Sequence, residues 1–273
     1  MKGSENTKEY VLGSSDREIE RLAYQHEIWN EETAALWARA GIGLGSRVAD
    51  LGCGPGFCTK ALSRLVGSKG HVYAVDASEK FGTIVVAETR GANNVTFFQS
   101  DVNDNPIPDH SVDAVFARWL FCFLPEPERA VAEIKRILVP GGRALVFDYF
   151  NYLAADVFPQ NPSISMLFDA FSKDVEAHGG SWDTAARLPG LLIGEGFEIE
   201  SLTPITRIGR PGTRYWKWVE YFTEVTVPRI VERGIWTEDQ RSEFEKAWAD
   251  ASSNPGAFVF TPPMVGIVAI TNG

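Results

Sequence analysis

The sequence predicts an α/β protein, a doubly wound, mainly parallel seven-stranded sheet with a helical cap. Three observations predict it. Helix-period and strand-length apolar runs alternate between about residues 47 and 149. The strand runs are rich in Val, Ala and Phe, as strands buried on both faces must be. The first of them enters a glycine-rich turn, Gly52-Cys53-Gly54-Pro55-Gly56, that opens a helical pattern.

Each element has a local cause. Ser15 and Glu18 spell a capping box ahead of Ile19, Leu22, Ala23 and His26 at helical spacing, so a helix is expected to start near Ser15. Asn30 is expected to cap a second helix bearing Leu36 and Trp37, stopped by Gly41, Gly43 and Gly45 before a strand at Arg47 to Leu51. Next come a helix from about Thr59 to Val66, a strand His71 to Val75, a helix from about Glu79 to Thr89, and strands Val95 to Gln99 and Asp113 to Arg118. A helix from about Pro127 to Leu138 and a strand Arg143 to Tyr149 flank the turn Pro140-Gly141-Gly142. Crossovers of this length suit parallel strands joined right-handedly. Beyond Tyr149 the rhythm changes, and 151–183 shows prolines and aromatics but no clear strand. A helix Leu188 to Glu195, a strand Phe197 to Ile205, a helical stretch Tyr215 to about Asp250 and an apolar run Met264 to Ile270 complete the chain. The expected division is N-terminal helices over the ligand site at 1–44, then the sheet domain at 45–273 with cap insertions at about 151–185 and 211–255.

Composition excludes several classes. The net charge of −10 repels phosphate polymers and anionic membranes, so no nucleic-acid partner is expected. Apolar runs such as Trp119 to Leu124 are strand-sized, against about 20 residues for a spanning helix, so no membrane span is expected. The opening MKGSENTKEY lacks the apolar core of a signal peptide, and a cytoplasmic location is expected. Cys53, Cys58 and Cys122 form no Cys-x-x-Cys pair, and the four histidines show no metal-ligand spacing, so reduced thiols and no metal are expected.

The turn carries the chemistry. Glycines at alternate positions let the backbone bend sharply and approach a ligand, while the helix behind offers unpaired amides, so a nucleotide-like ligand is implied. A nicotinamide fingerprint, Gly-x-Gly-x-x-Gly, would place its third glycine at position 57, which is Phe57. The stretch Asp50-Leu-Gly-Cys-Gly-Pro-Gly56 instead resembles the first motif of the class I S-adenosylmethionine-dependent methyltransferases. Asp76 ends the second strand 24 residues after Gly52, where that family sets an acidic residue on the ribose hydroxyls. Asp101 and Val102 follow the third strand, where the family holds adenine, and Pro140-Gly-Gly142 matches its usual turn. The resemblance covers about residues 45 to 150 and implies a Rossmann-like methyltransferase sheet with S-adenosyl-L-methionine as cofactor.

On this resemblance Asp50 holds the methionine ammonium or braces the loop, Gly52, Gly54 and Gly56 pass the methionine portion, and Asp76 with Ala77 reads the ribose. The family's N-terminal helix often folds over the cofactor with a polar contact, for which Tyr24, Gln25 and His26 stand, Tyr24 being taken as the candidate. Arg118 and Trp119 end the fourth strand at the edge where ligands of open α/β sheets bind; Arg118 faces the cofactor or pairs with an acidic neighbour, and Trp119 is placed in the acceptor pocket. Asp148 and Tyr149 end the fifth strand and are candidate proton acceptors, with His178 a third catalytic candidate. Tyr215, Trp216 and Trp218 belong to an aromatic run read as cap packing or as a wall of the acceptor pocket, where Tyr149 also stands.

The expected function is methyl transfer from S-adenosylmethionine to a small organic acceptor at O, N or C, hydrophobic or aromatic, by a monomer or homodimer. Two rivals remain: a protein that binds S-adenosylmethionine without transferring methyl, cyclase-like or otherwise, and an NAD(P)-dependent oxidoreductase.

Overall fold

The computed structural model describes residues 13 and 15–272. The first part of the expected 1–44 segment, including the opening MKGSENTKEY read as lacking a signal-peptide core, lies outside the described residues. In chain order the elements are α1 (Asp16–Ile28), α2 (Asn30–Arg39), β1 (Arg47–Leu51), α3 (Phe57–Val66), β2 (His71–Asp76), α4 (Glu79–Glu88), β3 (Val95–Gln99), β4 (Val112–Arg118), α5 (Pro127–Ile137) and β5 (Leu138–Tyr149). They continue with β6 (Asp156–Phe158), α6 (Pro162–Ala177), α7 (Thr184–Gly194), β7 (Phe197–Ile205), β8 (Ile208–Gly209), α8 (Arg214–Glu232), α9 (Glu238–Ser253), β9 (Phe258–Phe260) and β10 (Met264–Thr271).

The expected seven-stranded sheet forms in the order β3-β2-β1-β4-β5-β10-β7. β1 to β5 pair in parallel, whereas β10 runs antiparallel between β5 and β7. Successive strand residues bury on opposite faces: Val48, Ala114, Phe116, Leu145 and Phe147 join one core, and Ala49, Leu51, Val115, Ala117, Ala144 and Val146 the other. That two-sided burial is why the strands read as continuous apolar runs.

Local chemistry differs from expectation in three places. The Ser15 hydroxyl accepts from the Glu18 amide at 3.2 Å, but the Glu18 carboxylate does not return the bond; it is buried and grips Arg21 through both oxygens at 2.8 and 2.7 Å. A buried ion pair outbids the second half of a capping box. Asn30 is the first residue of α2 rather than its cap, because α1 and α2 abut at Trp29, whose carbonyl accepts from the Thr33 hydroxyl. In the segment without a clear strand, β6 joins β9 and β8 in a small antiparallel sheet, and α6 follows an Asn161 cap with Ile164, Leu167, Phe168, Phe171 and Val175 on its buried side.

Candidate active site

The sheet sets the place of the site. From β1 the chain winds outward through β2 and β3, then returns across β1 to build β4 and β5, so the order reverses between β1 and β4. Loops leaving these two strands diverge and leave a crevice at their carboxyl ends. A cavity of about 550 Å³ opens there, within the ~300–1,000 Å³ range of small-molecule sites.

Its walls bring together Asp50, Gly52, Gly54, Asp76, Ala77, Asp101, Val102, Arg118 and Trp119, with Leu22 and Gln25 of α1 closing one side. Gly54 has φ +54 and donates its N–H to Asp76 Oδ2 at 2.8 Å, and a side chain built on it would meet open space. This is a left-handed turn that glycine adopts without strain and whose open face lines the cavity. Asp76 Oδ1 accepts the Ser78 N–H at 2.9 Å. Each carboxylate oxygen thus keeps one lone-pair direction for a further donor. Burial pushes the Asp76 carboxyl up, and those two N–H bonds hold it down in part. Asp50 is buried, accepts the Thr59 hydroxyl at 2.6 Å, and is pushed up to about 6 by burial, against the Thr59 bond and the Arg118 charge. Asp101 is exposed and spends one oxygen on the Asn103 N–H at 2.9 Å, capping a short 3-10 turn.

Arg118 makes no ion pair with a carboxylate among the described residues, although its charge is felt by Asp50. It donates to Thr33 Oγ1 at 3.0 Å and to His26 Nδ1 at 3.2 Å, tying β4 to α2 and α1. Burial and that guanidinium lower His26 to about 4, so the ring is neutral and accepts. Trp119 leaves β4 with φ +51, a strained conformation for a bulky residue. It is held by Phe147 at 5.3 Å between ring centroids, by the Arg118 guanidinium at 4.8 Å, and by a bond from its indole N–H to Met264 Sδ at 3.3 Å.

Beyond Trp119 lies a second chamber of about 40 Å³, sharing Gln25, Trp119 and Phe123 with the larger cavity. Tyr149, Tyr152, Phe168, Phe171, Trp182, Trp218 and Phe222 make its walls, with Arg21 at one side. These rings interlock: Tyr152 stacks on Trp182 at 4.3 Å, and Tyr149 meets Trp182 edge-on at 5.3 Å.

Some sequence-assigned residues lie elsewhere. Asp148 is fully buried and lines neither cavity; it accepts the N–H groups of Phe121 (2.8 Å), Cys122 (3.3 Å) and Tyr149 (2.8 Å). Its carboxylate is committed to the turn that carries Trp119 to Phe123, which corrects its reading as a proton acceptor. Gly56 (φ +83) faces Val85 of α4, where a side chain would come within 2.9 Å, so it serves helix packing. Tyr24 donates its hydroxyl to the Arg214 carbonyl at 3.1 Å and meets Tyr221 edge-on, joining α1 to α8 away from the cavity. The aromatic run on α8 divides. Trp218 walls the chamber, while Trp216 stacks on Trp248 at 5.0 Å and Tyr215 packs against Trp29 with its hydroxyl taken by Arg207 and Arg214. His178 lines the larger cavity but not the chamber, and its Nδ1 is fixed on the Asp174 carbonyl at 2.6 Å.

The chamber residues Tyr152, Phe168, Phe171 and Trp182 were missed by sequence reasoning. For Phe168 and Phe171 the signal was present in the helical spacing of the apolar residues after Asn161-Pro162, whereas Tyr152 and Trp182 lie outside that helix.

Residues 49–146 match the family described as a methyltransferase domain. The ubiquinone/menaquinone biosynthesis C-methyltransferase UbiE of Saccharophagus degradans is 30% identical over 150 residues, 54% of this chain and 56% of that one. The chain thus spans about half the length of the curated relatives it matches. Among solved structures, geranyl diphosphate C-methyltransferase from Streptomyces coelicolor A3(2) aligns with a TM-score of 0.59 at 17% identity, covering 95% of this chain and 83% of that one. The [4+2]-cyclase SpnF aligns with a TM-score of 0.57 at 21% identity, covering 89% and 81%. At these identities the two structures share the fold.

Proposed function

We propose that this chain, whose residues 49–146 match a methyltransferase-domain family, transfers the methyl group of S-adenosylmethionine to a small, flat, apolar acceptor. The observation that carries the reading is the join between two unlike cavities. One has the glycine turn and three carboxylates, the other is walled by aromatic rings, and Gln25, Trp119 and Phe123 belong to both.

The donor set fits the cofactor. Asp76 offers one lone pair on each oxygen to the vicinal hydroxyls of a ribose, Asp101 stands beside Val102 for an adenine edge, and Asp50 offers a buried carboxylate to an ammonium group. Bound S-adenosylmethionine supplies a methyl on a positively charged sulfur. The protein's work is to align the partners and keep water out. The Arg118 bonds to Thr33 and His26 fasten α1 and α2 over the crevice, and Trp119 shapes the passage toward the chamber. No carboxylate lines the chamber among the described residues, so alignment and desolvation, rather than a carboxylate base, drive transfer. The nicotinamide rival is disfavoured by Phe57, which begins α3 where that fingerprint needs glycine and stacks against His26 at 5.8 Å. The cap is assigned to 151–185 and 211–255, the segments that supply Tyr152, Phe168, Phe171, Trp182, Trp218 and Phe222.

Calorimetry with S-adenosylmethionine, S-adenosylhomocysteine and NADPH tests the cofactor. Saturable binding of the two S-adenosyl compounds, then a gain of one methyl mass on a flat apolar acceptor, is expected. Binding of NADPH alone, or S-adenosyl binding with no methylated product from any acceptor, would overturn the reading.

A further inference from the structure

Of the polar side chains on α1 that face the site, Gln25 has an orientation dictated by its neighbours. Arg21 Nη1 and Trp218 Nε1 both reach its Oε1, each at 2.9 Å. A guanidinium and an indole N–H can only donate, so the amide oxygen must face them and the NH2 end must face away. Arg21 is itself gripped by both oxygens of Glu18, and all three residues are buried, Gln25 at 5% exposure. The amide is therefore set before any ligand arrives.

Gln25 lines both cavities, and among the described residues its Nε2 has no hydrogen-bond partner. In the chamber wall, Trp182 Nε1 is also buried without a partner. The Gln25 amide N–H is directed away from Arg21 and Trp218 on a residue that lines both cavities, and so marks a place for a lone pair from outside the chain. The chamber holds no carboxylate among the described residues, and its charged wall residue is the guanidinium of Arg21. An acceptor oxygen finds donors there. An aniline nitrogen, whose lone pair is delocalised into its ring, is the poorer acceptor for such a donor, although the Tyr149 and Tyr152 hydroxyls can accept from either probe.

We propose that Gln25 is a specificity-determining residue: its Nε2 donates to an oxygen of a flat acceptor, a phenol, enol or ring carbonyl, and selects it over the corresponding amine. This rests on the methyl-transfer reading above. It also sets the geometry, because a chamber of about 40 Å³ admits only the leading part of a ring, and the remainder lies in the doorway that Gln25 shares with Trp119 and Phe123.

The test is calorimetric binding of two near-isosteric probes, 4-ethylphenol and 4-ethylaniline, to the full chain saturated with S-adenosylhomocysteine. The phenol is expected to bind about tenfold more tightly, the worth of one buried hydrogen bond. Gln25→Met keeps the length of the side chain but removes the N–H donor, and the preference for the phenol is expected to fall to within about twofold. Trp182→Phe is expected to lower phenol affinity severalfold while preserving the order. Equal or absent binding of the two probes by the unaltered chain, or an undiminished preference in Gln25→Met, would overturn the inference. Failure of S-adenosylhomocysteine to bind would overturn the methyl-transfer reading and this inference with it, so the two failures are separable.

Discussion

Replacing Asp76 by Ala removes one group with two duties, and the structure allows both to be sized. Its oxygens accept the N–H groups of Gly54 and Ser78 at 2.8 and 2.9 Å, and its remaining lone pairs face the cavity. The two lost backbone bonds are each worth about 0.5–1.5 kcal/mol net, or roughly 1–3 kcal/mol together. Burial raises the carboxyl above its usual range, so deletion also relieves a desolvation cost, and the loss belongs near the low end. At ~2–4 °C per kcal/mol, the melting temperature of the ligand-free protein should fall by only a few degrees. Affinity should suffer more. Two hydrogen bonds from ribose hydroxyls to a carboxylate, at about 1.5 kcal/mol each, amount to ~3 kcal/mol, a rise in Kd of roughly a hundredfold. Thermal unfolding without ligand and calorimetry with S-adenosylhomocysteine below the melting range separate the duties. A folded variant whose Kd stays within about twofold would refute the ribose assignment, because no hydroxyl could then be resting on Asp76.

Three further outcomes are expected. Asp50 sits at about 6 in the ligand-free fold, so a cationic ammonium beside it favours ionisation and binding expels a proton; affinity for S-adenosylmethionine should rise from pH 5 to 7 and flatten in Asp50→Asn, as calorimetry in two buffers would show. Affinity is a cleaner readout than stability. Asp50, raised from 3.8, makes the ligand-free fold less stable as pH rises between about 4 and 6, while His26, lowered from 6.5 to about 4, makes it more stable over nearly the same window. Trp216→Ala, which opens the stack on Trp248, should cost about 3–5 kcal/mol of stability and leave acceptor choice alone, whereas Trp218→Phe removes the bond to Gln25 and should change acceptor choice with a smaller melting shift. Asp148→Asn should destabilise by about 1–3 kcal/mol through unpaired N–H groups while the folded fraction keeps its turnover; a loss of a hundredfold or more with an altered pH profile would restore it as a base.

The glycine-turn side of the crevice was legible because it is local. A strand end, a left-handed glycine turn and a helix start are consecutive in the chain, and Asp76 and Asp101 stand at the ends of the next two strands, which parallel pairing carries to the same edge. Gly56 shows the limit of that reading. It has the same residue type, spacing and positive φ as Gly54, yet one faces open space and the other Val85 of a later helix. Asp148 fails for a related reason: its position at a strand's carboxyl end was right, but a carboxylate there can turn toward a ligand or toward backbone amides, and the Phe121 and Cys122 N–H groups take it.

By itself the sequence determined the sheet and its crevice, since apolar periodicity, turn glycines and crossover length act between residues near in the chain. Tertiary structure alone decided the aromatic chamber. Helical periodicity put Trp218 and Phe222 on one face of α8 but could not say what that face would meet. Only folding brings Trp218 to Gln25, 193 residues away, and the contact between an obligate donor and an amide oxygen turns the other end of that amide toward the cavity.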